Sequence, residues 1–223
     1  MSGSVLAVAH RAGNSLSGLH GAALAGADVI EADVHLHRGR LEVRHLKTMG
    51  PLPWLWDRWE LRSATAPRLG LAELLAAADV GSTFMLDLKG RHVAGGEAVA
   101  RMLHEIAPGR RVLVCSRYWP ALAPFERLPW VGTVRSARNR AELGLLLRWL
   151  RRTGQPGYGA SVHRSLLTPV TAIRLHQRLQ LVLTWPVDDL AALDAVTPLA
   201  RTGNLGVISN EDTILREIRT RRG

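Results

Sequence analysis

Acidic side chains are concentrated in two short apolar segments of the chain. Glu31 and Asp33 are two positions apart within Val29–Val34, and Asp87 belongs to Phe84–Leu88. Residues two apart in a strand point to the same face, and adjacent carboxylates repel each other unless one is protonated or a cation lies between them. Three such carboxylates suit a hard divalent cation. We therefore predict a Mg²⁺ or Ca²⁺ site at these acids, the alternative being structural ion pairs with neighbouring arginines.

Two histidines are candidate proton carriers, because histidine titrates near neutral pH and a pair can act as acid and base in one turnover. They are His10, directly after the first apolar run, and His45, which follows the first acidic segment. His35 and His37 continue the face of the acidic pair, and Gly39 just beyond them indicates a turn. We interpret His35 and His37 as hairpin residues, with an auxiliary metal contact as the alternative.

Lysine is scarce in this chain and one lysine is placed to do chemistry. Of the 29 basic residues, only Lys47 and Lys89 are lysines. Lys89 is two residues after Asp87, so both side chains point to the same face of the strand. Its ammonium is a compact point charge, unlike the larger, planar guanidinium of arginine. Together with Arg11, which follows His10, it would hold a tetrahedral phosphate beside a metal ion.

These residues are positioned by a regular alternation of short apolar runs with helical patterns. The predicted strands are Val5–Ala9, Val29–Val34, Phe84–Leu88, Val112–Cys115, Val131–Val134, Tyr158–Val162, Leu181–Thr184 and Leu205–Ile208. The predicted helices are Leu16–Ala25, Leu71–Ala78, Gly96–Ile106, Pro120–Arg127, Ala141–Arg151, Pro169–Arg178, Asp188–Leu199 and Asp212–Arg221. This alternation predicts an α/β fold, a single-domain (β/α)₈ TIM barrel over residues 1–223, with a doubly wound open sheet as the alternative. The proline- and tryptophan-rich segment 45–68 is predicted to form a long loop over one barrel mouth.

In such barrels the catalytic groups come from the carboxyl ends of the strands. The residues at those predicted ends are His10, Arg11, Glu31, Asp33, Asp87, Lys89, Ser116, Arg117, Arg135, His163, Trp185, Ser209 and Asn210. Acids, bases, cations and one large aromatic side chain therefore converge at one end of the predicted barrel.

The composition excludes several classes of protein. A hydrophobic fraction of 47% and a charged fraction of 22% are typical of a globular domain. The single cysteine, Cys115, excludes a disulfide framework and a multi-cysteine zinc site, and without a visible secretory signal we expect a cytoplasmic protein. A net charge of +10 favours an anionic partner. We expect no nucleic-acid partner, because no reading motif accompanies the charge.

Six blocks of the sequence resemble one known family. They are His10–Asn14, Gly26–Val34, His45, Leu86–Lys89, Leu183–Asp189 and Gly206–Asn210. In these blocks the chain is similar to the glycerophosphodiester phosphodiesterase family, whose fold is a TIM barrel of the phospholipase-C-like phosphodiesterase type. The resemblance spans nearly the whole chain, although residues 101–178 match only by pattern.

The resemblance implies an activity, a cofactor and a set of site residues. The activity is metal-dependent hydrolysis of a small-molecule glycerophosphodiester to glycerol phosphate and an alcohol, with a divalent cation, Mg²⁺ or Ca²⁺, as cofactor. The implied roles are metal binding by Glu31, Asp33 and Asp87, acid–base catalysis by His10 and His45, phosphate binding by Arg11 and Lys89, and lining of the glycerol or head-group pocket by Trp185.

The chain departs from the family pattern at three positions. Ala12 replaces a glycine, Leu46 replaces an aspartate after the second histidine, and Asp87 stands where glutamate is common. Two alternatives therefore stay open. One is a lysophospholipase D-type phosphodiesterase whose tryptophans, in residues 54–59, meet a membrane interface, although we favour packing of these tryptophans over the barrel. The other is a non-catalytic barrel that binds phosphate or polyanions.

Overall fold

The chain forms a closed barrel of parallel strands in a computed structural model, which describes residues 3–50, 52–57, 60–154 and 157–223. The strands in this part of the chain are β1 (Val5–Ala9), β2 (Val29–His37), β3 (Arg40–Val43), β4 (Lys47–Thr48), β5 (Trp54–Asp57), β6 (Glu60–Ser63), β7 (Thr83–Leu88), β8 (Val112–Ser116), β9 (Val131–Ala137), β10 (Gly157–His163), β11 (Leu179–Trp185) and β12 (Asn204–Ser209). The parallel order is β1-β12-β11-β10-β9-β8-β7-β2, and pairing of β1 with β2 closes the ring. This closure confirms the (β/α)₈ prediction and excludes an open doubly wound sheet.

Helices cover the outside of the barrel between successive strands. The α-helices are α1 (Leu16–Ala25), α2 (Leu71–Ala77), α3 (Val93–Ile106), α4 (Arg140–Thr153), α5 (Pro169–His176), α6 (Leu190–Val196) and α7 (Asp212–Arg222). The segment Trp119–Arg127, predicted as an α-helix, is a 3₁₀ helix with Pro124 inside it. Proline lacks the amide hydrogen that an α-helical turn needs, which accounts for this difference. None of the described helices is long and apolar enough to cross a membrane.

Two separate hydrophobic cores follow from the alternation of side chains along each strand. One lies between the sheet and the helices, and Leu86, Val114 and Val182 are among its fully buried members. The other fills the barrel interior with Val8, Val29, Met85, Leu113, Cys115, Val134, Leu181, Leu183 and Ile208. On β1, β2, β7 and β9 the next inward position is polar and lies at the carboxyl-end mouth, where it places His10, Glu31, Asp87 and Ser136. The side chains that meet at this mouth are thus determined by the two-residue alternation along each strand and by the closure of the barrel.

The chain between β2 and α2 adds structure above the barrel mouth. β2 continues past the barrel and turns back into β3, with Arg38 and Gly39 at positive φ values of 49° and 79°. Two successive residues with positive φ fit the tight hairpin turn predicted at Gly39. Within segment 45–68, predicted as a loop, the structure has a small antiparallel sheet of β4, β5 and β6. Trp59, predicted as part of that loop, lies outside the described residues.

Candidate active site

Three carboxylates meet on one wall of the barrel mouth. Glu31 and Asp33 point inward from β2 and are 2% and 0% exposed. Asp87 on β7 lies opposite Asp33 in the parallel register of the two strands. One oxygen from each carboxylate lies within 4.8 Å of the others. The structure thus brings together all three residues that the sequence predicted as metal ligands.

The turn after β1 supplies polar partners to this wall. Arg11 has a left-handed backbone conformation, with φ of 58° and ψ of 6°, and its amide donates a hydrogen bond of 2.6 Å to Glu31 Oε2. Asn14 donates from Nδ2 to Asp33 Oδ2 at 2.8 Å, and its Oδ1 accepts from the Asp33 amide at 2.8 Å. A non-glycine residue in this conformation is uncommon and costs free energy. Here that conformation directs a backbone donor at a buried acid.

Lys89 also faces the wall, as the two-residue spacing from Asp87 predicted. Its Nζ lies 2.5 Å from Asp33 Oδ1 and also pairs with Asp87 Oδ2. Arg11 is more distant, with its Nε 3.9 Å from Asp33 Oδ2 and its side chain 41% exposed. The two predicted phosphate-binding cations therefore flank the carboxylates, one in close contact and one at the rim.

Burial and crowding set the protonation of these groups. Burial raises the pKa of Glu31 well above its usual value, and the charge of Asp33 adds to this effect. Burial and then Asp33 also raise the pKa of Asp87, against the charge of Lys89. Burial opposes ionisation of Asp33, but hydrogen bonding from His45 and the charge of Lys89 outweigh it and lower the pKa of Asp33. Burial would lower the pKa of Lys89, yet the charges of Asp87 and Asp33 raise it. Ionisation is therefore favoured at Asp33, beside Lys89 and His45, and disfavoured at Glu31 and Asp87.

His45 joins the wall to the small sheet above it. Its Nδ1 lies 2.9 Å from Asp33 Oδ2, and its Nε2 lies 3.2 Å from Asp57 Oδ2 on β5. Behind it, the buried Arg44 donates to Glu42 Oε2 at 2.8 Å and to the Leu46 carbonyl. Sequence reasoning missed Asp57, because only the folding of β5 over the mouth brings it to this histidine.

His10 is positioned by the end of β12, which pairs with β1 on the side away from β2. Its Nδ1 lies 2.7 Å from Asn210 Oδ1, and Asn210 Nδ2 donates to Asp188 Oδ2 at 2.8 Å. Because the Asn210 amide nitrogen faces Asp188, its oxygen faces His10, and Nδ1 of His10 is the donor. The Nε2 atom of neutral His10 is then an acceptor. Burial lowers the pKa of His10, and the hydrogen bond with Asn210 partly offsets this. The positioning roles of Asn210 and Asp188 were not predicted.

Seven of the eight predicted site residues line one cleft of about 970 Å³ at the mouth, and the eighth, Asp33, is fully buried behind its lining. Trp185 forms part of its far wall and packs edge-on against His163, with ring centroids 5.1 Å apart. Arg135, expected at a strand end in the mouth, does not line the cleft and stacks over Trp149 at 3.6 Å instead. β9 continues to Ala137, so Ser136 takes the inward position.

Fold and site together define a class, a (β/α)₈ barrel whose mouth combines carboxylates, histidines and cations. Solved structures share the fold. They include an Oleispira antarctica phosphodiesterase in complex with the product sn-glycerol-3-phosphate (17% identity, TM-score 0.75, covering 96% of both chains). Glycerophosphodiester phosphodiesterases from Thermotoga maritima (16% identity, TM-score 0.72, covering 96% of this chain and 98% of that one) and Parabacteroides distasonis (18% identity, TM-score 0.73, covering 100% of both) are similar too. No family model matches the sequence, and neither does any curated protein. At these identities the likeness establishes the fold.

Proposed function

We propose that the protein belongs to the glycerophosphodiester phosphodiesterase family and hydrolyses glycerophosphodiesters to glycerol phosphate and an alcohol. The observation that carries the proposal is the meeting of three carboxylates, two histidines and Lys89 at the wall of one cleft, with Asp33 buried behind its lining. Its fold is that of phosphodiesterase structures, and the Oleispira antarctica protein holds sn-glycerol-3-phosphate, which is the product class proposed here.

We infer that Glu31, Asp33 and Asp87 hold a divalent cation. Their oxygens converge within 4.8 Å, and the crowding that raises the pKa of Glu31 is the crowding that a cation relieves. Asp33 Oδ1 is buried and, among the described residues, receives no hydrogen bond of good geometry, with the Lys89 ammonium beside it. Three carboxylate oxygens suit Mg²⁺ or Ca²⁺. A bound cation supplies positive charge that polarises the phosphate and lowers the pKa of the neighbouring glycerol hydroxyl.

The two histidines are assigned the proton transfers. One takes the proton of the glycerol hydroxyl next to the phosphate, and that oxygen attacks phosphorus. The other gives a proton to the alcohol oxygen as its bond to phosphorus breaks. The product is a cyclic glycerol phosphate, which water then opens to glycerol phosphate. His10 extends from the end of β1 and His45 from the segment after β3, and both line the cleft where we place the phosphate.

Arg11 and Lys89 are assigned to the phosphate oxygens. Both line the cleft beside the carboxylates. A fixed ammonium beside the reacting phosphate stabilises negative charge that accumulates on its oxygens in the transition state. Trp185, on the far wall of the same cleft, is assigned to the glycerol or head-group side of the substrate.

A turnover assay with water-soluble diesters tests this proposal. Glycerophosphocholine, glycerophosphoethanolamine and glycerophosphoglycerol are incubated with the protein, with and without EDTA, and release of glycerol phosphate is measured. We expect turnover that EDTA abolishes, and a loss of about 10²–10⁴-fold in kcat for His10→Ala and for His45→Ala. His104→Ala, on the exposed face of α3, is the control and should keep wild-type turnover. Phosphate binding without any turnover would favour the non-catalytic barrel instead.

A further inference from the structure

Exposed hydrophobic side chains are concentrated beside the cleft. Of the 13 large hydrophobic side chains exposed among the described residues, five lie between positions 49 and 61. They are Met49 (36% exposed), Leu52 (53%), Trp54 (43%), Trp56 (42%) and Leu61 (60%). Single exposed hydrophobic residues are ordinary on a protein surface, whereas a cluster of this kind marks an interaction site.

Strand alternation in the small sheet produces this cluster. Leu55 points inward from β5 and is 1% exposed, so its neighbours Trp54 and Trp56 point outward. Trp56 lies opposite Leu61 of β6 and opposite Lys47 of β4, and cross-strand partners share a face. We call the outward side chains Trp54, Trp56 and Leu61 the tryptophan face. Trp56 also lines the cleft at the barrel mouth, so one side of this face lies over the barrel as the sequence analysis favoured.

Positive charge lies beside the tryptophan face and along the cleft that it borders. Lys47 lies with its Nζ 5.5 Å from the centre of the Trp56 ring. Lys47 and Trp56 both line the active-site cleft, and so do Arg91 and Arg138 at its rim. Among the described residues, none of these three cations has a carboxylate within ion-pair distance. Apolar rings and cations therefore border one opening.

We propose that the tryptophan face docks the protein on an anionic lipid surface, with the cleft opening beside the headgroups. Tryptophan is suited to a bilayer interface because its ring is apolar and its N–H is polar. Cations next to such an apolar face add attraction to anionic lipids. A second copy of the chain fits less well, since it would bring another net charge of +10 and another Lys47 against the same face. The docking does not depend on the proposed hydrolysis, so the two are tested separately.

Vesicle sedimentation tests the docking. The protein is mixed with vesicles that contain phosphatidylglycerol and, separately, with vesicles of phosphatidylcholine alone. We expect binding to the anionic vesicles that weakens as salt is added and that is much weaker on phosphatidylcholine. In the double variant Trp54→Ser/Leu61→Ser we expect binding at least about tenfold weaker, because apolar area is lost from the interface. Hydrolysis of glycerophosphocholine should be unchanged, since neither residue lines the cleft.

The matched control is Val170→Ser/Ile173→Ser on α5, where the side chains are 59% and 45% exposed. This control should bind vesicles like the wild type. Absence of wild-type binding, or equal binding by the Trp54→Ser/Leu61→Ser variant, would overturn the proposal. A dimer in analytical ultracentrifugation that the Trp54→Ser/Leu61→Ser variant loses would also overturn it, in favour of a second copy. Circular dichroism checks folding, and the single Leu61→Ser variant replaces the double variant if that one unfolds.

Discussion

The two ends of the barrel interior are built from the same strands but carry opposite chemistry. At the carboxyl end, the inward positions hold Glu31, Asp33, Asp87 and Lys89. At the amino end, the inward side chains are apolar, and a cavity of about 560 Å³ there is lined largely by residues such as Val29, Leu113 and Leu181. On β2 and β7 the inward side chain changes from apolar (Val29, Met85) to acidic (Glu31, Asp87) within two residues. Chemistry is therefore confined to one end, and the other end is left to stabilise the fold.

The polar end is a source of instability as well as the candidate site. Like charges on Asp33 and Asp87 add to burial in raising the pKa of Glu31. Glu42, another buried glutamate at 5% exposure, instead has Arg44 and Arg68 within 2.8 Å and 2.9 Å. The neutralised glutamate links the hairpin to the segment after β6, whereas the crowded one is a ligand of the cation proposed above.

The largest effect should come from Glu31→Gln. We expect turnover to fall at least about 10³-fold, because a metal-binding carboxylate is lost. In the metal-free protein we expect thermal stability at pH 8 to rise. Folding raises the pKa of Glu31, so its stabilising contribution exists while it is protonated and is lost as pH rises through the folded-state value. The melting temperature should therefore increase less at pH 5 than at pH 8.

The control for that substitution is Glu42→Gln, which removes a charge that two arginines neutralise. It should lower the melting temperature at both pH values, since it leaves buried guanidinium charge without a partner. Equal shifts in the two variants would contradict the distinction between a crowded and a neutralised glutamate. Wild-type turnover in Glu31→Gln would remove this residue from the metal site.

The second prediction concerns the apolar interior of the barrel, below the polar mouth. Leu183 is fully buried in the barrel interior, so Leu183→Ala should destabilise the protein by about 2–5 kcal/mol through the cavity it leaves. Turnover per folded molecule should stay within about threefold of the wild type, since the side chain does not line the cleft. Urea denaturation and a kcat measurement give the two numbers. Leu190→Ala on α6, where the side chain is 55% exposed, is the control and should change stability by less than about 0.5 kcal/mol.

The barrel and the acidic wall were predictable because they depend on local patterns. Val5–Ala9 is a strand with the predicted bounds, and Pro169 begins α5 after the capping residue Thr168. Alternation along a strand was enough to bring Glu31 and Asp33 to one face.

The features that could not be predicted from the sequence depend on strand length and on contacts between distant segments. β9 extends to Ala137, three residues beyond the predicted Val134, and Arg135 faces outward against Trp149. Asp57 reaches His45 only because β5 folds over the mouth. Neither contact has a signal in local periodicity.

The third prediction concerns Asn210, which positions His10. Asn210→Leu should lower kcat about 10-fold with little change in KM, because a partner that orients the imidazole is lost. The hydrogen bond with Asn210 raises the pKa of His10, so its loss should lower that pKa further. If His10 acts as the base, the acidic limb of the pH–rate profile moves to lower pH. If His10 acts as the acid, the alkaline limb moves to lower pH instead.

Asn204→Leu at the amino end of the same strand is the matched control. Asn204 bonds to Ser4 and to the Gln180 carbonyl, far from the cleft lining. It should leave both limbs of the profile in place. A fall in kcat with no displacement of either limb would mean that Asn210 supports the fold of the mouth and does not position the imidazole of His10.

The smallest effect is expected at Cys115, where the two ends of the barrel meet. Its side chain belongs to the interior core, lines the floor of the cleft and lies opposite Asp87 in the β7–β8 register. Burial, and then the charge of Asp87, raise the pKa of the thiol well above its usual value. Reactivity requires the thiolate, so the native protein should react with Ellman's reagent at pH 8 far more slowly than the unfolded chain. Cys115→Ala should change kcat by less than about twofold, because a neutral thiol on the floor stabilises no charge in the transition state. A larger loss of turnover would mean that the layer of side chains below the carboxylates, which includes Cys115, also contributes to catalysis.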